Sequence, residues 1–117
     1  MTIKNVVITS ISLGDSEHGS LSAWLQVDYG GYGQGFGGWS LYLPNSFKNH
    51  KRTSAAAGHF IWRCLEIGGV NEWSKLVGKA IRVDQDGSSY GLILGIGHII
   101  KDDWFYPAKD FKELNSL

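Results

Sequence analysis

Few side chains in this sequence have chemistry to offer, and their spacing narrows the field quickly. The four histidines are His18, His50, His59 and His98, and no two stand at the spacing of a metal site. Asp15, Glu17 and His18 gather in the stretch "DSEHG". Acid–base or metal chemistry is one meaning of that cluster, and an ordinary hairpin turn is the other. His98 lies among Leu94, Ile96 and Ile100, the setting of a histidine satisfied within a sheet. Cys64 sits among apolar residues with no base placed to make it a thiolate, so it reads as a small hydrophobe. No catalytic group, metal or cofactor is expected.

The stretch "YGGYGQGFGGW", Tyr29 to Trp39, packs six glycines into nine residues. It is no P-loop, because no Lys-Ser/Thr follows Gly38, and no dinucleotide fingerprint, because a strand pattern follows where a helix is needed. Gly35, Phe36 and Gly37 match part of the aromatic strand motif of RNA-recognition domains, but its basic first residue and later aromatics are missing. Tyr32 and Phe36 on one strand face can stack on bases, which keeps a single-stranded nucleic-acid-binding module as an alternative.

The charge balance argues against nucleic acid. Eleven basic and eleven acidic residues give a formal charge of zero, without the basic excess that phosphate contacts require or the acidic excess of a nucleic-acid mimic. At 117 residues, 43% apolar and 19% charged, the chain reads as one folded domain over residues 1–117. The lone cysteine excludes an intramolecular disulfide and fits a reducing compartment. No apolar run reaches the roughly 18 residues of a membrane span, and "MTIKNVVITS" has no signal-peptide pattern. A cytoplasmic location is expected.

The elements that must position these residues follow from periodicity. "SLSAWLQVDY" alternates Leu21, Ala23, Leu25, Val27 and Tyr29 with a polar face that carries Trp24 outward. It pairs with the β-branched "IKNVVITSISL" across the turn "GDSEHG". The glycine block extends the sheet: Gly31, Gly33, Gly35 and Gly37 form a bare face, with Trp39, Leu41 and Leu43 continuing that parity. Glycine in a strand marks a close approach. The predicted neighbour is the small-residue start, Ala55 to Gly58, of a helix over "TSAAAGHFIWRCLEIGG", capped by Thr53 or Ser54 and stopped by Gly68 and Gly69. Its apolar stripe is Ala57, Phe60, Ile61, Cys64 and Leu65. A helical turn "NEWSKLVG" capped by Asn71, and a hairpin around Asp86-Gly87 whose second strand is apolar on both faces, follow. "KDDWFYPAKDF" closes the chain with aromatics that should dock. The predicted architecture is α+β: an antiparallel sheet of about five strands with one main helix packed on one face.

Trp24, Tyr32, Gln34 and Phe36 form the expected contact surface, bordered by a loop that concentrates Lys48, His50, Lys51 and Arg52. The stretches "SLGDSEHGSLSAWLQVDYGGYGQGFGG", "AGHFIWRCLEIGGVNEWSKLVGKAIRV" and "IGHIIKDDWFYP" together resemble a family of small phage and prophage proteins without an assigned activity. The resemblance spans Ile8 to Phe111, and the glycine-aromatic block and "GHIIKDDWF" are its distinctive parts. It implies a phage or mobile-element origin and supplies no catalytic residues. Small phage proteins of this kind are often inhibitors of host defence, anti-CRISPR proteins among them, an association of origin alone. The resulting expectation is a non-enzymatic inhibitor in the host cytoplasm that blocks a host defence protein, with homodimerisation left open. The alternative is a binder, or sponge, of a small nucleotide-type ligand.

Overall fold

The computed structural model describes residues 2–15, 21–39, 41, 50–87 and 91–115. Strand β1 spans Thr2–Asp15, β2 Leu21–Asp28 and β3 Gly33–Gly37. Helix α1 covers His50–Gly68 and a 3-10 turn Trp73–Leu76. Strands β4 Ala80–Gln85, β5 Ile93–Gly97 and β6 Trp104–Phe105 precede helix α2, Pro107–Asn115. All neighbours are antiparallel, in the order β3-β2-β1-β4-β5-β6. The α+β architecture is as the periodicity predicts, with six strands where about five were expected and α2 as an additional helix.

Alternation sets the inner face. Ala23, Leu25 and Val27 are buried while Trp24, Gln26 and Asp28 face out. Val6 and Ile8 of β1 and Ile81 and Val83 of β4 join them. Register shifts in β1 near Ser10 and between Asp84 and Gln85 of β4 bend the sheet. It curls until side chains of its first and last strands meet: Phe36 of β3 and Phe105 of β6 lie 6.3 Å apart, ring centre to ring centre. Phe60 of α1 sits between them, 5.9 Å from Phe36 and 5.6 Å from Phe105. Burial of each such phenylalanine contributes about 1.5–3 kcal/mol.

Helix α1 buries Ala56, Phe60, Cys64 and Ile67. The predicted stripe therefore holds at Phe60 and Cys64 but centres one residue earlier, leaving Ala57, Ile61 and Leu65 as its half-buried flank. The helix starts at His50, so Thr53 and Ser54 lie inside it and do not cap it. Its predicted end is correct. Gly69 takes a left-handed φ of 68°, and the Gly69 and Val70 N–H groups donate to Glu66 and Leu65 carbonyls at 3.2 and 3.0 Å. The 3-10 turn is preceded by Glu72, and Asn71 instead accepts a bond from Lys75 Nζ at 3.1 Å.

The bare glycine face is covered, but not by α1. A Cβ added at Gly35 would lie 2.9 Å from Cε3 and Cζ3 of Trp24, and one at Gly38 would strike the same indole. The outward Trp24 side chain lies flat across the strip from the neighbouring strand. Gly58 of α1 has open space around it, so the predicted contact with the helix start is corrected. The reason is the pleat: Phe36 faces inward toward α1, which turns Gly35 and Gly37 outward. Gly37 and Gly38, at φ 141° and 81°, then reverse the parity so that Leu41 is buried. Only glycine adopts that pair of conformations without strain. Trp39 and Leu41 were expected to continue the parity of the glycines; Leu41 is buried instead, and Leu43 lies outside the described residues.

Candidate aromatic-walled cleft

On the outer surface, β3 forms one edge of the sheet, and the first residues of β5 pair with β4 alone. The curl brings these two edges toward one another. Gln34 bridges them at one end, its Nε2 donating to the Gly91 carbonyl at 2.7 Å. Beyond the bridge the edges part, leaving a cleft of about 490 Å³. Trp24, Gly35, Gly37 and Trp39 line one side, Leu92 to Leu94 the other. Tyr106, Ala108 and Lys109 close it from the start of α2.

Both walls use the same device of an aromatic ring laid on glycine backbone. Opposite Trp24 on Gly35, the Tyr106 ring covers Gly95, where an added Cβ would lie 2.5 Å from Cδ1. Trp104 covers Gly97 and is itself capped by the Arg82 guanidinium at 4.8 Å. Without side chains at these glycines, the rings sit close to the backbone and are held in place. Tyr106 Oη donates to Asp84 Oδ2 at 2.7 Å. Burial, then the hydrogen bond and charge of Asp84, push the Tyr106 phenol up to about 12. The ring is therefore neutral and its hydroxyl points away into the wall.

The mouth of the cleft is apolar and open. Leu92 is 73% exposed, Leu94 45% and Trp24 39%. Clustered exposed apolar residues of this kind mark contact sites. Lys109 is the one ammonium among the lining residues, and it holds no ion pair among the described residues.

Of the predicted contact residues, Trp24 is in the cleft and Gln34 closes its end. Tyr32 lies elsewhere, on the β2–β3 turn, stacked 4.7 Å from Tyr29 and accepting from Lys4 Nζ at 3.3 Å. Phe36 is 1% exposed, a core residue, so it shares no face with Tyr32 and offers nothing to a partner or a base. His50, Lys51 and Arg52 belong to α1 and do not form a loop. Lys48, like Glu17 and His18, lies outside the described residues.

Cys64, His98 and His59 are tied into the fold. Burial pushes the Cys64 thiol far up, as a core cysteine requires. His98 Nδ1 accepts from the Ile100 and Lys101 N–H groups at 3.1 and 3.0 Å, organising a turn. His59 Nε2 meets Asp110 Oδ2 at 2.7 Å, joining α1 to α2. Among the described residues no three His, Cys, Asp or Glu side chains are gathered to hold a metal, and no helix is long and apolar enough to cross a membrane.

Sequence reasoning passed over Trp39, Leu92, Leu94, Tyr106 and Lys109. A signal existed in "GLILGIG", which repeats the alternate glycines of "GQGFGG", and in the nearby "WFY" that supplies the covering rings. Comparison of the chain with protein-family models and with curated proteins gives no match.

Proposed function

We propose that the protein is a non-enzymatic binding protein that takes a small, planar, mostly apolar ligand in the cleft between β3, β5 and α2. The observation that carries this reading is the cleft itself: about 490 Å³, apolar, with Trp24, Trp39 and Tyr106 around it. Ligand sites are typically concave, apolar and about 300–1,000 Å³. Two of the three rings are braced on glycine backbone, which lowers the ordering cost of binding. In the anti-defence setting implied by the resemblance to phage proteins, such a site would serve by capturing a small signalling molecule.

The test is a thermal-shift screen against planar aromatic compounds, nucleobases and nucleotides, run on the native chain and on Ala108→Trp, which fills the cleft from an exposed helix position. A ligand at about 100 times its Kd adds roughly 2.7 kcal/mol of stability. Tm is expected to rise for the native chain and not for the variant. A flat screen, or equal shifts in both, would overturn the reading.

Blockade of a host defence protein is a second reading, favoured by the exposure of Leu92, Leu94 and Trp24 at the mouth. It moves the docking surface from Phe36 to the cleft rim. A partner recovered from host lysate by the native chain and lost with Leu92→Asp would support it over small-molecule capture.

A further inference from the structure

Lys109 gives the cleft a polarity that its apolar walls lack, and we infer that the ligand is a planar aromatic body carrying a single anionic group, with the ring between Trp24 and Tyr106 and the anion at Lys109. This rests on the cleft being the binding site and adds the chemistry of the occupant.

Three observations converge. The walls are aromatic and aliphatic, which favours a planar apolar body through stacked and edge contacts. The lining holds one cation and no carboxylate. No acid of the packed elements is in the lining: Asp84 accepts from Tyr106 Oη at 2.7 Å behind the wall, Asp110 meets His59 at 2.7 Å, and Glu113 lies one turn further along α2. An anion at Lys109 therefore meets an ammonium and no carboxylate within the lining itself. Ala108 and Lys109 also lie in the first turn of α2, where backbone N–H groups lack helical acceptors. One cation on an apolar lining suits one negative charge, since a polyanion would carry unmatched charge against the walls.

A matched pair of fluorescent probes separates this inference from the reading beneath it. 1-Anilinonaphthalene-8-sulfonate and N-phenyl-1-naphthylamine share the same aromatic body and differ by the sulfonate. Both are titrated into the native protein, Lys109→Gln, Lys112→Gln and Ala108→Trp, with Tm measured on each variant to establish folding. The sulfonate is expected to bind about five- to tenfold more tightly than its neutral counterpart. Lys109→Gln should remove that advantage and leave the neutral probe unchanged, while Lys112→Gln, one turn further along α2, leaves both unchanged. Ala108→Trp should abolish both, and the sulfonate's advantage should shrink as salt rises. Competition by naphthalene-1-carboxylate and by a 3′,5′-cyclic nucleotide tells an aryl carboxylate from a nucleobase phosphodiester. Equal affinity of the two probes, or an equal loss with Lys112→Gln, overturns the anion inference while the cleft stands. Failure of both probes to bind, or binding that survives Ala108→Trp, overturns the cleft reading itself.

Discussion

Replacing Gly35 by valine places a branched side chain where the Trp24 indole now lies. The first added carbon would sit 2.9 Å from Cε3 and Cζ3 and 3.1 Å from Gln26 Nε2, against about 3.5–4.0 Å for an ordinary carbon contact. The indole must therefore move by more than half an ångström, and the two methyl groups push it further. If it stays on the sheet, overpacking costs about 1–3 kcal/mol. If it is ejected, roughly 100 Å² of ring surface returns to water, which at about 25 cal/mol per Å² is again near 2.5 kcal/mol. Either route predicts a Tm lower by about 4–12 °C for a domain of this size. A double-mutant cycle identifies the cause. In a Trp24→Ala background the valine meets no ring, and its cost should fall below about 0.5 kcal/mol, because β-branched residues suit strands. An equal cost in both backgrounds would refute the claim that the indole, and not a helix, covers the glycine strip.

Gly58, on the exposed side of α1 with open space about it, should accept alanine with a gain of about 0.5–1 kcal/mol, read as a higher urea midpoint. Asp103→Asn removes the charge that pairs with Arg63 at 2.7 Å and ties α1 to the turn before β6; a loss of about 1 kcal/mol is expected, since the carboxylate is 39% exposed. The Arg63 hydrogen bond holds the Asp103 carboxyl below its ordinary value, so this contribution is present above that value and lost as pH falls through the lowered one; the acid limb of a stability–pH curve should flatten in Asp103→Asn. Tyr29 and Tyr106 are both raised from 10.0 to about 12, chiefly by burial, so their contribution is fully present below pH 10 and lost as pH climbs toward 12. Tyr106→Phe leaves the buried Asp84 Oδ2 without its donor and lowers stability at neutral pH, but it should flatten the further fall in stability between about pH 10 and 12, and an equally steep alkaline limb would contradict the burial of that phenol.

Much of the sheet was legible because alternation is a local signal. Leu21 to Asp28 declared its inner face, and Gly69 declared the end of α1 by a conformation that glycine alone adopts readily. The covering of the glycines was not legible, because it depends on which face of β3 turns inward. Phe36 decides that by packing against Phe60 and Phe105, residues 24 and 69 positions further along the chain. With Phe36 inward, the glycines must face out, and the nearest bulky outward neighbour is Trp24 on β2. The cleft was hidden for the same reason. Its two walls, at Gly35 and Leu92, face one another only because the sheet curls, and the curl accompanies register shifts near Ser10 and Asp84 that no short pattern announces.

The central claim, that the cleft is where this protein binds, is tested most directly by two-dimensional ¹H–¹⁵N NMR during titration with the sulfonated naphthalene probe. Shifts are expected at the Trp24 and Trp39 indole N–H groups and at the amides of Gly35, Gly37, Leu92 to Leu94 and Tyr106 to Lys109, Pro107 excepted. The amides of Lys4 and Trp62, which do not line the cleft, should stay still. Shifts centred on those residues, or a spectrum unchanged at saturating probe, would contradict the account.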